Sequence, residues 1–404
     1  MEKCFDNDLY LKIQVEEISK RIKQFGNKLY LEIGGKLFDD YHASRVLPGF
    51  EPDNKIKALL NFKDESEVII VVNANDIDSN KIRNDFGISY EQEVERLINV
   101  YSDINMNVSG VVISFYHNSK TIIKFINKLN KFGIKTYKHY QIEGYPNNLD
   151  VALSKNGFGK NEYIKTSKPL VIVTAPGPGS GKMACCLSQI YLDHIYGIDS
   201  GYAKFETFPI WNISINSPIN MAYEAATADI GDFNVIDTYH KNKYKVIATS
   251  YNRDMDAYPL LSDIFIRIYG TTPYNSPTDM GVNTLGIAIK NMNIANESSK
   301  QEIIRRYFQA KKNCYIGTFS ENAVENIKKL MNKLNISEYD RKCVKPCLEK
   351  SKLINKHVVS IDFNNGIVTG KESNLLTAAS AALLNALKEL AGIDDSIDFY
   401  RKSS

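Results

Sequence analysis

The stretch from Val171 to Met183, VIVTAPGPGSGKM, carries the residues best suited to chemistry: Gly177, Gly179, Ser180, Gly181 and Lys182, following a β-branched run. Glycine lets the backbone approach an anion, a helix start turns N–H groups toward it, and lysine supplies charge. Strand, glycine-rich turn and helix in that order predict a cradle for a phosphoryl or carboxylate group. The usual phosphate-loop spacing, G-x-x-x-x-G-K-[ST], is met only at Gly181 and Lys182, because Pro176 replaces its first glycine and Met183 its hydroxyl. That hydroxyl binds Mg²⁺ in such loops, so a metal here would need carboxylates from elsewhere in the chain. The plainer alternative is a glycine-rich turn between strand and helix with an exposed lysine.

A nucleotide site needs a second acidic element, and three strand-like runs end in one: VVNAND at Asp76, KVIATSYNRD at Asp254 with Asp256 beyond, and VVSID at Asp362. Asp254 is preferred because it follows the cradle in sequence and because Arg253 beside it could grip a phosphoryl oxygen bidentately. The alternative for Asp254 is capping the helix that begins near DAYPLL. Glu206, in KFETFPIWN beside the single tryptophan Trp211, shares a strand face with Lys204 and reads either as a base or metal ligand or as that lysine's partner. Asp279, in PYNSPTDMGVN, could face a ligand, or the run could be a helix capped by Ser276 or Thr278. His42, Ser44 and Arg45 crowd a loop after Gly34-Gly35-Lys36, where a lone histidine without a fixed partner is more often packed than catalytic. Cys343 and Cys347 have a ligand-like separation but no second Cys or His pair follows them, which argues against zinc.

Positioning these groups falls to alternating strands and helices. KLYLEIGG, EVIIVVNAND, VSGVVISFY, IKTYKHY and LVIVTAP read as strands, with helical spacing near Leu9 to Gln24, in QEVERLINVYSDI and in SKTIIKFINKLNKFG. Strands so rich in Val and Ile predict an α/β fold with a mainly parallel sheet covered on both faces, and the cradle at the carboxyl end of one strand, where such sheets bind ligands. Helical patterns then dominate, with KVIATS the one strand among them, before a hairpin of VVSIDF and IVTGK turning at Asn364-Asn365-Gly366 and the apolar helix SNLLTAASAALLNALKELAG. The expected division is an α/β domain over 1–228, a helical region over 229–338 and a small α+β portion over 339–404.

The composition, 43% hydrophobic and 24% charged over 404 residues, is that of a globular chain with room for two or three cores. A net charge of +3 gives no reason to expect nucleic acid or an anionic membrane as partner. The lysines at 120, 124, 128, 131, 135 and 138 read as one solvated helix face and its continuation. With no secretory signal and no run of apolar residues long enough for a span, the expected location is cytoplasmic, with the six cysteines reduced.

The motifs GKLFDDYHASRVLPGF, VTAPGPGSGKMA, GYAKFETFPIWN, YEAATADI, PTDMGVN and LKELAGIDDSI resemble those of the bacterial domain-of-unknown-function family numbered eighteen forty-six, over about Phe5 to Ile397. The resemblance implies a soluble bacterial protein with an α/β portion, a helical portion and a further α+β portion. It assigns no reaction and no catalytic residue. It also implies that members continue past AGIDDSI, whereas this chain departs into DFYRKSS, which leaves the completeness of its last portion open.

From the residues themselves, the leading expectation is a phosphoryl-transfer or NTP-hydrolysing enzyme. Residues 177–182 would grip phosphates, and Mg²⁺ would be held by Asp254, Asp279 or Glu206. The alternative is a metal-independent transferase acting on a small phosphorylated or carboxylated metabolite, which Met183 favours, or a non-catalytic, self-associating scaffold that binds a phosphorylated ligand.

Overall fold

The computed structural model describes residues 2–397 apart from 27, 84–85, 146, 364–365 and 395. The expected turn residues Asn364 and Asn365 and the tail DFYRKSS therefore lie outside the described residues. Two compact units divide the chain, Met1–Ser299 and Lys300–Ser404.

Seven parallel strands form the centre of the first unit: β1 (Leu29–Ile33), β2 (Ser66–Asn73), β3 (Val108–Ser114), β4 (Thr136–Lys138), β5 (Leu170–Thr174), β6 (Gly201–Phe205) and, after a small antiparallel pair of β7 (Asn234–Ile236) and β8 (Thr249–Tyr251), β9 (Gly281–Val282). Their order across the sheet is β9-β6-β1-β5-β2-β3-β4. About half of the chain is helical. On one face, helices α1 (Asn7–Gln24), α2 (Tyr90–Asp103) and α3 (Lys120–Lys131) bury Ile18, Leu97 and Phe125 against Leu31, Ile70 and Val72. On the other, α4 (Lys182–Ile195) and α5 (Asn252–Tyr269) bury Cys185, Ile190, Leu261 and Phe265 against Tyr30, Val171 and Val173. Coverage on both faces is why β1, β2 and β5 read as almost unbroken apolar runs rather than as alternating ones.

Connections reverse within this order. From β2 the chain passes to β3 and β4 on one side, whereas from β5 it passes to β6 and then β9 on the other. Neighbouring strands β5 and β2 thus send their chains in opposite directions, and the carboxyl ends of such a pair border an open crevice. The sequence between residues 229 and 338, which reads as helical apart from KVIATS, also supplies the edge strand β9, where Gly281 and Val282 pair with Lys204 and Phe205. Two residues are too few for periodicity to reveal a strand; the pairing is tertiary.

In the second unit, α6 (Val344–Ile354) and α7 (Ala378–Leu390) accompany the antiparallel hairpin of β10 (Val358–Phe363) and β11 (Gly366–Lys371). Gly370 lets α7 lie directly on the hairpin, since a Cβ there would overlap the backbone nitrogen of Ala382. Asn385 Nδ2 donates to Thr369 O at 2.9 Å across the same contact.

Candidate functional site

At the carboxyl end of β5 the chain enters residues 175–181 and leaves them as α4. Gly179 and Gly181 have φ of 74° and 86°, the left-handed region that glycine tolerates best, and Gly181 caps α4 without any side-chain hydrogen bond. The helix therefore starts with N–H groups that no capping side chain occupies. Gly177 is needed for a different reason: a Cβ there would overlap the hydroxyl of Tyr90.

Residues at the ends of the neighbouring strands hold this loop. Ser114 Oγ, at the end of β3, donates to Ser180 O at 2.6 Å. Asn73 Nδ2, at the end of β2, donates to Gly179 O at 3.3 Å. The hydroxyl of Ser180 is buried and has no hydrogen-bond partner among the described residues. Lys182 turns toward β1, where its Nζ lies 4.0 Å from Glu32 Oε1. Glu32 also accepts from the Tyr202 hydroxyl at 2.8 Å.

On the same face, Lys204 of β6 stands beside Glu32 in the sheet register and forms the centre of a buried cluster. Its Nζ lies 2.7 Å from Asp254 Oδ1 and 2.8 Å from Glu206 Oε1, and it also bonds the Tyr251 hydroxyl. Tyr251 in turn donates to Glu206 Oε1 at 3.0 Å. Burial alone would lower the Lys204 ammonium, but Asp254 and Glu206 together hold it well above its ordinary value. Glu206 behaves oppositely. Burial pushes its carboxyl up to about 7 against the pull of Lys204, and the nearby Asp254 charge adds to the rise. A carboxyl that titrates near neutrality can take or give a proton at working pH.

Glu206 reaches across the end of β1, where a Cβ on Gly34 would overlap its Cγ. A second buried pair braces that turn: Lys55 Nζ donates to Gly34 O at 2.9 Å and lies 3.3 Å from Asp40 Oδ2, which also accepts from Thr207 Oγ1 at 3.1 Å. The two glycines after β1 therefore lie between Glu206 and the loop that follows β5, because β1 runs between β6 and β5.

Of the residues singled out in the sequence, the structure brings together Lys204, Glu206 and Asp254, and places Lys182 next to their neighbour Glu32. Asp254 stands not at the end of a sheet strand but in the first turn of α5, which follows the separate strand β8. Arg253 leaves the cluster; its Nε lies 2.5 Å from Asp232 Oδ1 and its guanidinium also donates to Ile230 O. Asp279 belongs to another group, accepting from Tyr244 at 2.9 Å and from the Asn275 backbone at 3.0 Å in a short helix whose cap is Ser276. Asp76 pairs with Lys81 at 3.1 Å, and Asp362 is on β10 of the second unit. His42 packs edge-on to the ring of Phe208 at 5.1 Å. Trp211 donates from its ring nitrogen to Asn283 O. Cys347 Sγ contacts Val358 O at 3.2 Å, and no cluster of three or more metal-ligating side chains occurs among the described residues. Glu32, Tyr202, Tyr251, Ser114 and Asn73 were not singled out. The one local signal was a charge inside an apolar strand, Glu32 in LYLEI, since a buried charge must find a partner.

Among the described residues, no helix is long and apolar enough to cross a membrane. The profile described as "Domain of unknown function DUF1846, N-terminal" matches residues 3–335, and its companion, "Domain of unknown function DUF1846, C-terminal", matches residues 339–404. Similar proteins include a "UPF0371 protein" of Streptococcus thermophilus, 50% identical over 394 residues that make up 97% of this chain and 80% of that one. Two others are "UPF0371 protein SpyM50764" of Streptococcus pyogenes, 49% identical over 97% of this chain and 79% of its own length, and a "UPF0371 protein" of Streptococcus sanguinis, 50% identical over 96% and 79%. Profile matches over both parts of the sequence and identity near one half across almost all of it agree with the motifs, and the chain belongs to the bacterial domain-of-unknown-function family DUF1846.

Proposed function

We propose that the first unit is an enzyme that holds a phosphoryl or similar anionic group of a small molecule at the start of α4 and transfers or hydrolyses it with Glu206 as acid–base group. The observation that carries this reading is the uncapped start of α4. Its two left-handed glycines and lysine stand at the reversal point of a parallel sheet, one strand away from a carboxyl that titrates at about 7. In this reading the loop N–H groups and Lys182 stabilise negative charge, while Glu206, oriented by Lys204 and Tyr251, exchanges a proton with the attacking or leaving oxygen.

The donor set does not suit Mg²⁺. Asp254 Oδ1 and Glu206 Oε1 both accept from the Lys204 ammonium, and a divalent ion between them would have to displace that buried cation. Asp279 is committed to Tyr244 and Asn275, and Met183 offers no hydroxyl. These features favour metal-independent transfer on a phosphorylated metabolite or nucleotide over Mg²⁺-dependent NTP hydrolysis. The test is thermal-shift and calorimetric titration with inorganic phosphate, pyrophosphate, ADP and ATP, each with and without Mg²⁺. A shift that needs no Mg²⁺ and is lost in Lys182→Ala is expected; no response to any phosphorylated compound overturns the reading.

A further inference from the structure

We infer that the anion held at the start of α4 belongs to a nucleotide, whose base stacks on the exposed ring of Phe115. This rests on the reading of the loop given above. Phe115 follows β3 directly, and its ring lies 3.9 Å from where a Cβ on Gly181 would stand, so it borders the helix start itself. The residue is 39% exposed, and no ring or cation packs on it among the described residues, whereas its neighbour Tyr116 is packed edge-on to Tyr140 at 5.7 Å.

The backbone keeps the ring there against its own preference. Phe115 has φ of 51°, a left-handed conformation that a bulky side chain seldom adopts. His117 Nδ1 meets the Phe115 carbonyl at 3.1 Å, its Nε2 meets Asp78 Oδ2 at 2.7 Å, and Tyr116 N donates to His139 O at 2.9 Å. Among the described residues the ring belongs to neither hydrophobic core of the sheet. The exposed ring therefore stands directly beside the uncapped start of α4, which follows Ser180 with its buried and unpartnered hydroxyl. A planar apolar group joined to an anion matches that pairing, and base–aromatic stacking accepts any base because every base presents a π face.

The experiment is calorimetric titration of the full chain with ADP and, separately, pyrophosphate, without Mg²⁺, for the wild type, Phe115→Gly and Phe115→Trp. Glycine suits the left-handed backbone, so Phe115→Gly removes the ring without straining the turn. The expected result is that Phe115→Gly binds ADP roughly tenfold or more weakly, that Phe115→Trp keeps or improves ADP binding, and that pyrophosphate affinity is unchanged in both. Equal loss of ADP and pyrophosphate binding would mean that Phe115 only shapes the loop, and unchanged ADP binding would mean that the ring is not a platform; either outcome overturns the inference while leaving the anion site standing. Wild-type protein that binds neither compound would remove the anion site itself.

Discussion

Replacing Glu206 by Gln should remove a specific part of the pH dependence of stability. The amide keeps the side chain's size and can still accept from Lys204, but it binds no proton in the accessible range. In the native protein the Glu206 carboxyl is pushed up to about 7 from an ordinary 4.5. Between those values the native state holds a proton that the unfolded chain has released. Stability from this group is thus complete below pH 4.5 and is lost as pH rises through about 7. At about 1.4 kcal/mol per pH unit, the loss across the window is about 3 kcal/mol. Urea unfolding followed through Trp211, the single tryptophan and a residue of the first unit, measures it at intervals from pH 4.5 to 8.5. His139, held neutral by burial down to about 4, gives a slope of the opposite sign, but it is present in both proteins and cancels in their difference. The wild type should lose its advantage over the variant by about 3 kcal/mol as pH rises. A difference independent of pH would show that Glu206 does not titrate near neutrality, and the acid–base role would fall with it.

Gly34→Ala should reproduce the pH behaviour of Glu206→Gln, because the added methyl group takes the space of Glu206 Cγ and forces the carboxyl out of its buried place; the same urea series on that variant checks it. Lys204→Met should destabilise the first unit by about 3 to 5 kcal/mol, since Asp254 and Glu206 would face each other without their shared cation, and Trp211-monitored melts would report the loss. Gly370→Ala should loosen α7 from its hairpin at a cost of about 1 to 3 kcal/mol, seen as faster proteolysis within residues 300–404 while the Trp211 transition stays in place.

The strands of the sheet were legible because burial on both faces leaves long runs such as VIIVV and VIVT, and their alternation with helices announced a parallel arrangement. The order of the strands was not, because nothing local in LYLEI says that its neighbours will be LVIVT and GYAKF. The same holds at the site. Lys204 and Glu206 are two residues apart, the second just past the end of β6, and so project to the same side, which a period of two reveals directly. Asp254 joins them through a contact across 50 residues, and Glu32 through strand pairing, neither of which leaves a trace in spacing. Arg253 shows the converse: adjacent to Asp254 on a helix, it projects in another direction and finds Asp232.

The position of β1 in the middle of the sheet also governs how the chain can be made. Leu29 stands in register with Leu170 on one side and Gly201 on the other, so a strand that leaves the ribosome among the first has no partner on either edge until much of the chain has followed. At ordinary synthesis rates that interval is on the order of ten seconds, during which five residues destined for full burial are an open template for mispairing. Completion of the sheet is therefore late, when β5 enters between β1 and β2 and β6 then covers the other edge of β1. Such long-range pairing makes for slow folding, and any nascent chain that stops short of Leu170 would hold β2 paired with β3 and β3 with β4 while β1 had no neighbour.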